Sequence, residues 1–228
     1  MNHGLIFDLD GTLVDSLPGI ASSLNRSLTT HGLPAHTVSA VRSFVGDGLL
    51  SLVQRAAPAG TLPVLLDALV SHFKQDYALN WAHGTCVYPG ICEMLTNLQL
   101  DNTPLAVLSN KAHAFTQAMT RAMFPDIDFS RVLGQQDGVP HKPDPTGALS
   151  IAAAFNLAPA NCVFIGDSTV DLESAANAGM PAIAVAWGYH DRARLLAAGA
   201  TRIIDHPEQL PDALAAITNQ APCSPSRG

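Results

Sequence analysis

Basic residues are scarce in this sequence. Twelve Lys and Arg stand against 19 Asp and Glu, giving a formal net charge of −7, and no basic run occurs. That excludes an extended nucleic-acid surface. A few local cations and a metal can still hold a small anionic substrate. The four cysteines (Cys86, Cys92, Cys162 and Cys223) show no C-x-x-C spacing and no paired framework. They read as reduced thiols of a cytoplasmic protein, mostly in packing positions. No apolar run reaches membrane-spanning length, so no membrane partner is expected. The N-terminus has no basic segment leading into an apolar core and cleavage site, so no signal peptide is expected. The nine histidines contain neither H-E-x-x-H nor H-x-H, which disfavours a zinc site. Internal repeats are also absent.

What is present is apolar. The chain is 47% hydrophobic and only 14% charged, enough to bury a sizeable core. Its length suggests about 1.5 domains, which fits one full domain plus an insertion.

The stretch Phe7-Asp8-Leu9-Asp10-Gly11-Thr12 organises the rest. Leu5-Ile6-Phe7 before it reads as a buried strand. Side chains alternate along a strand, so Asp8 and Asp10 leave on one side and sit close together. Two packed carboxylates are costly. Either they share a cation, or one keeps a proton because its neighbour's charge raises its pKa. The bland alternative is a metal-free turn with two solvated aspartates.

Residues 17 to about 83 read as helical throughout. Ser16 or Asp15 can cap a first helix that has Pro18 in its first turn and Ile20, Leu24 and Leu28 on one face. A second helix is expected over 38–44 and a third from Gly48 to Ala57. A fourth carries Leu62, Leu65, Leu66, Leu69, Val70, Phe73 and Tyr77 as one apolar stripe. Beyond Tyr88 the pattern alternates. A helix over 91–98 leads to a strand over 105–108 that ends in Ser109-Asn110-Lys111. A weaker strand at Val132-Leu133 precedes His141-Lys142-Pro143-Asp144-Pro145. A helix over about 147–155 leads to a strand over 162–165 ending in Gly166-Asp167-Ser168. A helix to Ala178, a strand over 182–185 and a short strand at Ile203-Ile204 follow. The tail from about Asn219 is expected to fray.

Alternating strands and helices predict an α/β fold, a Rossmann-like doubly wound parallel sheet. In such sheets ligands lie outside the carboxyl ends of the strands. Asp8, Asp10, Ser109, Asn110 and Asp167 all fall at those ends, and Lys142 precedes a helix on the same side. Singly, each has a plain reading. Asp167 or Ser168 caps a helix, Ser109 and Asn110 cap the next one, and Asp171 and Lys142 are solvated surface residues. Their joint occurrence favours one site, because independent caps need not supply this mix of acid, hydroxyl and cation.

With these residues in place, the sequence resembles the haloacid dehalogenase superfamily of phosphatases, most similar to its phosphoglycolate phosphatase branch. The resemblance rests on Phe7-Asp8-Leu9-Asp10-Gly11-Thr12-Leu13-Val14-Asp15-Ser16, Leu108-Ser109-Asn110-Lys111, Lys142-Pro143-Asp144-Pro145 and Ile165-Gly166-Asp167-Ser168-Thr169-Val170-Asp171. Val41 to Gly48 and Trp187-Gly188-Tyr189 point to the branch. It covers nearly the whole chain except the tail. It implies an all-helical cap, residues 17–83, inserted into a discontinuous α/β core of residues 1–16 and 84–228. Hinge movement is expected at the two crossings, near 13–16 and 82–88.

The resemblance implies Asp8 as nucleophile and Asp10 as general acid and then base. Gly11, Ser109, Asn110 and Lys142 would bind phosphate. Mg²⁺ would be held by Asp8, Asp10 through its backbone carbonyl, and Asp167, with Asp171 supporting the metal or orienting Lys142. Arg42, Gly46 and Gly48 read either as a specificity loop or as an ordinary inter-helix turn. Arg42 is the candidate donor for a substrate carboxylate, and Lys111 touches either substrate or solvent. Asp15 reads as structural.

The expected partner is a small phosphorylated metabolite, with monomer and dimer both open. Rivals within the family are a broad sugar-phosphate phosphatase, a pyrophosphatase and a sugar-phosphate mutase. Dehalogenases and phosphonate hydrolases are disfavoured because Asp10 is present. Outside the family, a phospho-aspartate signalling switch shares the acid, hydroxyl and lysine set, but the chain length and helical insertion argue against it. The Ser109 surroundings lack the G-x-S-x-G of a serine hydrolase.

Overall fold

The computed structural model describes residues 3–218. In chain order, β1 (Gly4–Phe7) is followed by β2 (Val14–Asp15) and four helices, α1 (Leu17–Thr30), α2 (Val38–Arg42), α3 (Gly48–Ala56) and α4 (Pro63–Asn80). Next come β3 (Cys86–Val87), α5 (Ile91–Leu100), β4 (Leu105–Ala112), α6 (His113–Met123), β5 (Arg131–Gln135) and α7 (Thr146–Ala154). The chain then runs through β6 (Cys162–Gly166), α8 (Thr169–Ala178), β7 (Ala182–Val185), α9 (Arg192–Ala197), β8 (Ile203–Ile204) and α10 (Leu210–Thr218).

Six strands form one parallel sheet in the order β5-β4-β1-β6-β7-β8. Strand alternation sends side chains to two separate cores. Leu5, Phe7, Val107, Val163 and Ile183 pack with α5 and α10 on one face. Ile6, Ala106, Leu108 and Phe164 pack with α7 and α8 on the other. Both faces are covered, which is why these strands read as continuous apolar runs. The strand order switches direction at β1, between β4 and β6, and a crevice for ligands opens at such a point.

Helices α1–α4 bury a third cluster of their own, built on Leu24, Leu28, Val41, Val53, Leu69 and Tyr77. The two chain crossings between this block and the sheet meet as an antiparallel ribbon, with Val14 opposite Val87 and Asp15 opposite Cys86. Two residues per strand are too few to show a period, so the ribbon was illegible in the sequence.

Several elements depart from expectation. The second helix stops at Arg42 rather than 44 and the third at Ala56. α5 runs two residues further, to Leu100. β4 continues through Ser109, Asn110 and Lys111 to Ala112, after a register break beyond Leu108. The expected stripe on α4 holds, with Leu69, Phe73 and Tyr77 buried and Leu65, Leu66 and Val70 partly buried against the same cluster, but Leu62 lies outside the helix and is exposed. Cys86 and Cys92 are exposed, so among the described residues only Cys162 takes the packing role expected of the thiols. Cys223 and the tail from Asn219, expected to fray, lie outside the described residues. Among the described residues, no helix is long and apolar enough to cross a membrane.

Candidate active site

β1 ends at Phe7, and the next residue, Asp8, is anchored by its N–H donating to Ile165 O at 2.9 Å. The chain then turns tightly, with the N–H groups of Thr12, Leu13 and Val14 all directed at Leu9 O. Gly11 makes the turn possible with φ +88°, and a β-carbon there would meet the Asp167 carboxylate at 2.3 Å. Its N–H donates to Val14 O at 2.8 Å. Gly11 therefore supplies room for Asp167, and its expected role as a phosphate donor is not the one its N–H takes.

Asp167 follows β6 and is buried. Thr12 Oγ1 donates to its Oδ1 at 3.0 Å and Tyr189 N–H to its Oδ2 at 2.6 Å. Trp187 Nε1 ties the same loop to Thr12 O at 3.0 Å. Between them, Gly188 leaves no space: an added β-carbon would lie 2.1 Å from Asp167 Cβ and 2.4 Å from Gly11 O. Gly188→Ala is expected to lower stability by about 1–3 kcal/mol, a Tm fall of about 2–12 °C. By shifting Asp167 it should also weaken apparent Mg²⁺ affinity about 10- to 100-fold. Melting curves with and without Mg²⁺ measure both, and an unchanged Mg²⁺ response would dissociate this loop from the metal.

Lys142, just before α7, is buried. Its Nζ lies 2.7 Å from Asp171 Oδ1 and 2.9 Å from Asp8 Oδ1. The contact to Asp8 is an ion pair without hydrogen-bond alignment, which leaves that oxygen unsatisfied. Asp171 sits in the first turn of α8, where Ser168 and Asp171 form a reciprocal capping box. Both its oxygens are engaged, one by Lys142 and the other by Ser168 N–H and Oγ. Asp171 therefore orients Lys142, one of the two roles expected of it. Ser168 takes the plain capping role.

Oxygens of Asp8, Asp167 and Asp171 lie within 4.8 Å of one another, all buried. Burial pushes the Asp8 carboxyl up to about 7, with Lys142 pulling against it. Asp167 is pushed well up by burial and by the charges of Asp171 and Asp8. Three buried carboxylates share one lysine, and a divalent cation would supply the missing charge. The residues fit Mg²⁺, which takes one or two carboxylates and leaves its other positions to waters and phosphate oxygens. Asp8 keeps an oxygen with no hydrogen bond and each Asp167 oxygen accepts only one, so both retain lone pairs for a cation, whereas Asp171 Oδ2 already accepts two. Asp10 has only its backbone carbonyl to offer, because its side chain faces elsewhere.

That side chain is held by donors. Lys111 Nζ sits 3.0 Å from each Asp10 oxygen, and Ser16 Oγ donates to Oδ1. Of the two candidate caps for α1, Asp15 takes the role, accepting the Leu17 N–H at 3.1 Å, while the Ser16 hydroxyl belongs to the site. Tyr189 OH lies 3.2 Å from Ser16 Oγ. Lys111, left between substrate and solvent, is buried and lies 4.7 Å from the centre of the Tyr77 ring.

Ser109 lines the cavity between these groups. Its Oγ accepts the Lys111 N–H at 3.3 Å, which leaves its O–H to donate inward. The Asn110 side chain is fully spent. Nδ2 donates to Gly46 O (3.1 Å) and Lys142 O (3.0 Å), and Oδ1 accepts Lys142 N–H (2.8 Å). Only its backbone is left for phosphate. The same bonds carry the Gly46–Gly48 loop of the helical block onto the Lys142 turn, where Gly48 faces His141. Arg42 does not line the cavity. Its guanidinium donates to Tyr189 O at 2.8 Å and to Gly188 O, fastening α2 to the loop beneath it.

Thr12, Ser16, Trp187 and Tyr189 thus join the site without having been assigned to it. Thr12 and Ser16 lie within the Phe7–Ser16 motif and Trp187 and Tyr189 within the Trp-Gly-Tyr stretch, but Ser16 also reads as a helix cap.

The doubly covered parallel sheet, with a carboxylate and lysine cluster at its carboxyl ends, is that of an α/β hydrolytic enzyme. A sequence model of haloacid dehalogenase-like hydrolases matches residues 5–185, and the chain belongs to that family. Phosphoglycolate phosphatase of Psychrobacter arcticus is 34% identical over 194 residues, spanning 82% of this chain and 84% of that one. The phosphoglycolate phosphatase of Mannheimia succiniciproducens is 34% identical over 191 residues, 81% and 85% of the two chains. Among solved structures, a predicted phosphoglycolate phosphatase from Haemophilus somnus superimposes with a TM-score of 0.86 at 29% identity, covering 93% of this chain and 98% of that one. The chain is a phosphatase of the phosphoglycolate phosphatase-like branch.

Proposed function

We propose that the protein hydrolyses phosphate monoesters with Mg²⁺ through an aspartyl-phosphate on Asp8, and that its substrate is 2-phosphoglycolate. The carrying observation is Asp8 itself, a buried carboxylate at the carboxyl end of β1, 2.9 Å from Lys142 and grouped with Asp167. Asp8 attacks phosphorus, forming one P–O bond as the ester P–O bond breaks. Asp10 gives a proton to the leaving oxygen. Asp10 then takes a proton from water, which attacks phosphorus, releases phosphate and frees Asp8. The donors around Asp10 suit this second step. Ser109 Oγ and Lys142 Nζ neutralise charge on the transferring oxygens. Mg²⁺, held by Asp8, Asp167 and the Asp10 carbonyl, supplies further positive charge there when bound.

Helices α1–α4 act as the cap, with the β2–β3 ribbon as its hinge. Phosphoglycolate is supported by the relatives' names and by the size of the cavity. At about 80 Å³ it has room for only a handful of waters, which suits a compact ester better than a nucleotide. Exposed Cys86 and Cys92, both free thiols, support the cytoplasm as its compartment.

The test is phosphate release from phosphoglycolate beside sugar phosphates, nucleotides and pyrophosphate, with Mg²⁺ or EDTA. Metal-dependent preference for phosphoglycolate is expected. Activity spread evenly over many esters would keep the mechanism and discard the substrate. Isomerised sugar phosphate without free phosphate would identify a mutase.

A further inference from the structure

We propose that Lys111 is the specificity-determining residue, its ammonium binding a carboxylate carried on the leaving alcohol. The proposal rests on the phosphatase reading above and names what that site selects.

Much of the cavity lining is apolar. Ile20, Val45, Leu49 and Leu52 of the helical block, with Phe73 and Phe115, form the apolar part of its lining. An anionic group entering such a wall loses hydration and is tolerated only when paired. The described cavity lining contains two lysines and no arginine. Lys142 is committed to Asp8 and Asp171. Arg42, the carboxylate donor expected from the sequence, is committed to the carbonyls of residues 188 and 189. His190 uses Nδ1 to accept the Thr169 N–H, and burial holds the ring below its ordinary pKa, in the neutral form. Lys111 faces the single carboxylate of Asp10 where Lys142 faces two, which makes it the lining cation with positive charge left to share.

Its position also sets the distance from the reacting bond. As general acid, Asp10 must be within hydrogen-bond reach of the ester oxygen. Lys111 Nζ is 3.0 Å from both Asp10 oxygens. An ammonium carries three donors, and Asp10 takes two of them. The third is shared between the Tyr77 hydroxyl, which also neighbours the ammonium, and an acceptor adjacent to the leaving oxygen. The carboxylate of phosphoglycolate is such an acceptor, with one methylene between it and the ester oxygen. The Tyr77 ring under Nζ fixes the ammonium in place and helps keep it charged in an apolar setting. One lysine would then serve both Asp10 and the substrate, so the preferred ester is one whose anionic group lies beside the bond that breaks.

The experiment compares kcat/KM for phosphoglycolate and for ethyl phosphate, an ester of similar length without the carboxylate. It uses the full-length wild type, Lys111→Met and Lys111→Arg with saturating Mg²⁺. The wild type should favour phosphoglycolate. Lys111→Met should cut the ratio of the two kcat/KM values at least about tenfold, mainly through the KM for phosphoglycolate. Lys111→Arg should recover part of it. If both esters fall by one common factor, Lys111 acts only through Asp10 and the proposal is wrong. An unchanged ratio, or a wild type that favours ethyl phosphate, overturns it equally. If Lys111→Met does not fold, Lys111→Gln carries the same comparison. If the wild type releases phosphate from no ester, the phosphatase reading fails. Calorimetric binding of phosphoglycolate against ethyl phosphate to wild type and variant then still decides the role of Lys111.

Discussion

Asp8→Asn is expected to lower phosphate release at least about 10⁴-fold, on the scale seen when a covalent nucleophile is removed. The side chain keeps its shape and loses its charge and its nucleophilic oxygen. The fold should survive. Asp8 N–H still donates to Ile165 O, and Lys142 keeps its shorter contact to Asp171 at 2.7 Å. Asp167 loses a neighbouring negative charge that helps push its own pKa up. In the absence of metal, the variant should therefore melt no lower than the wild type. Phosphate release and melting curves, measured on the same preparation, separate lost chemistry from lost structure. A well-folded variant retaining about a hundredth of the wild-type rate would remove Asp8 from the nucleophile's place, because a neutral amide cannot supply that rate.

The contrast between what the sequence predicts and what the structure shows follows the range of the interactions. Strands β1, β4, β6 and β7 were legible because both faces of the sheet are covered, which leaves uninterrupted apolar runs. Asp8 and Asp167 were legible because each follows such a strand at its carboxyl end, and Lys142 because it precedes a helix on the same side. Hydrogen bonds across the chain were not. Thr12 meets Asp167 across 155 residues and Ser16 meets Tyr189 across 173, with no local period to betray either pairing. Ser16 was further disguised by its place before Pro18, where a helix cap was the simpler reading. Arg42 shows the opposite failure. An arginine at the end of a short helix, just before the Gly46–Gly48 turn of a phosphate-handling chain, suggests a ligand, yet two backbone carbonyls of the 188–189 loop take it first. Lys111 reads in sequence as a polar residue after a strand. Only the continuation of β4 to Ala112 turns it into the cavity, against Tyr77 from the helical block.

Chelation is expected to remove turnover, and added Mg²⁺ to stabilise the protein more at pH 8 than at pH 5. The sign follows from Asp8. Its folded pKa is pushed up to about 7 by burial, against an ordinary value near ~3.9 in the unfolded chain. Between those values the folded state holds a proton that the unfolded state has lost, so stability falls as pH rises through that window. Asp167, raised by the same burial, acts in the same direction. His190, held below its ordinary value by burial, pulls the other way up to about pH 6.5, one imidazole against two raised carboxyls, and Asp76, held below its ordinary value by Arg26, does so only below about pH 4. Lys142 is raised, so its contribution is lost only well above pH 8. The metal-free protein should therefore melt lower at pH 8 than at pH 5. Mg²⁺ competes with the protons on these carboxylates and binds better once they have left. At a hundredfold excess over its Kd, Mg²⁺ should add about 2.7 kcal/mol, roughly 5–11 °C in Tm for a chain of this size. Asp8→Asn should flatten the pH dependence and shrink the Mg²⁺ shift. Equal Mg²⁺ shifts at both pH values, or a larger one at pH 5, would mean that the ion binds away from the Asp8 and Asp167 carboxylates.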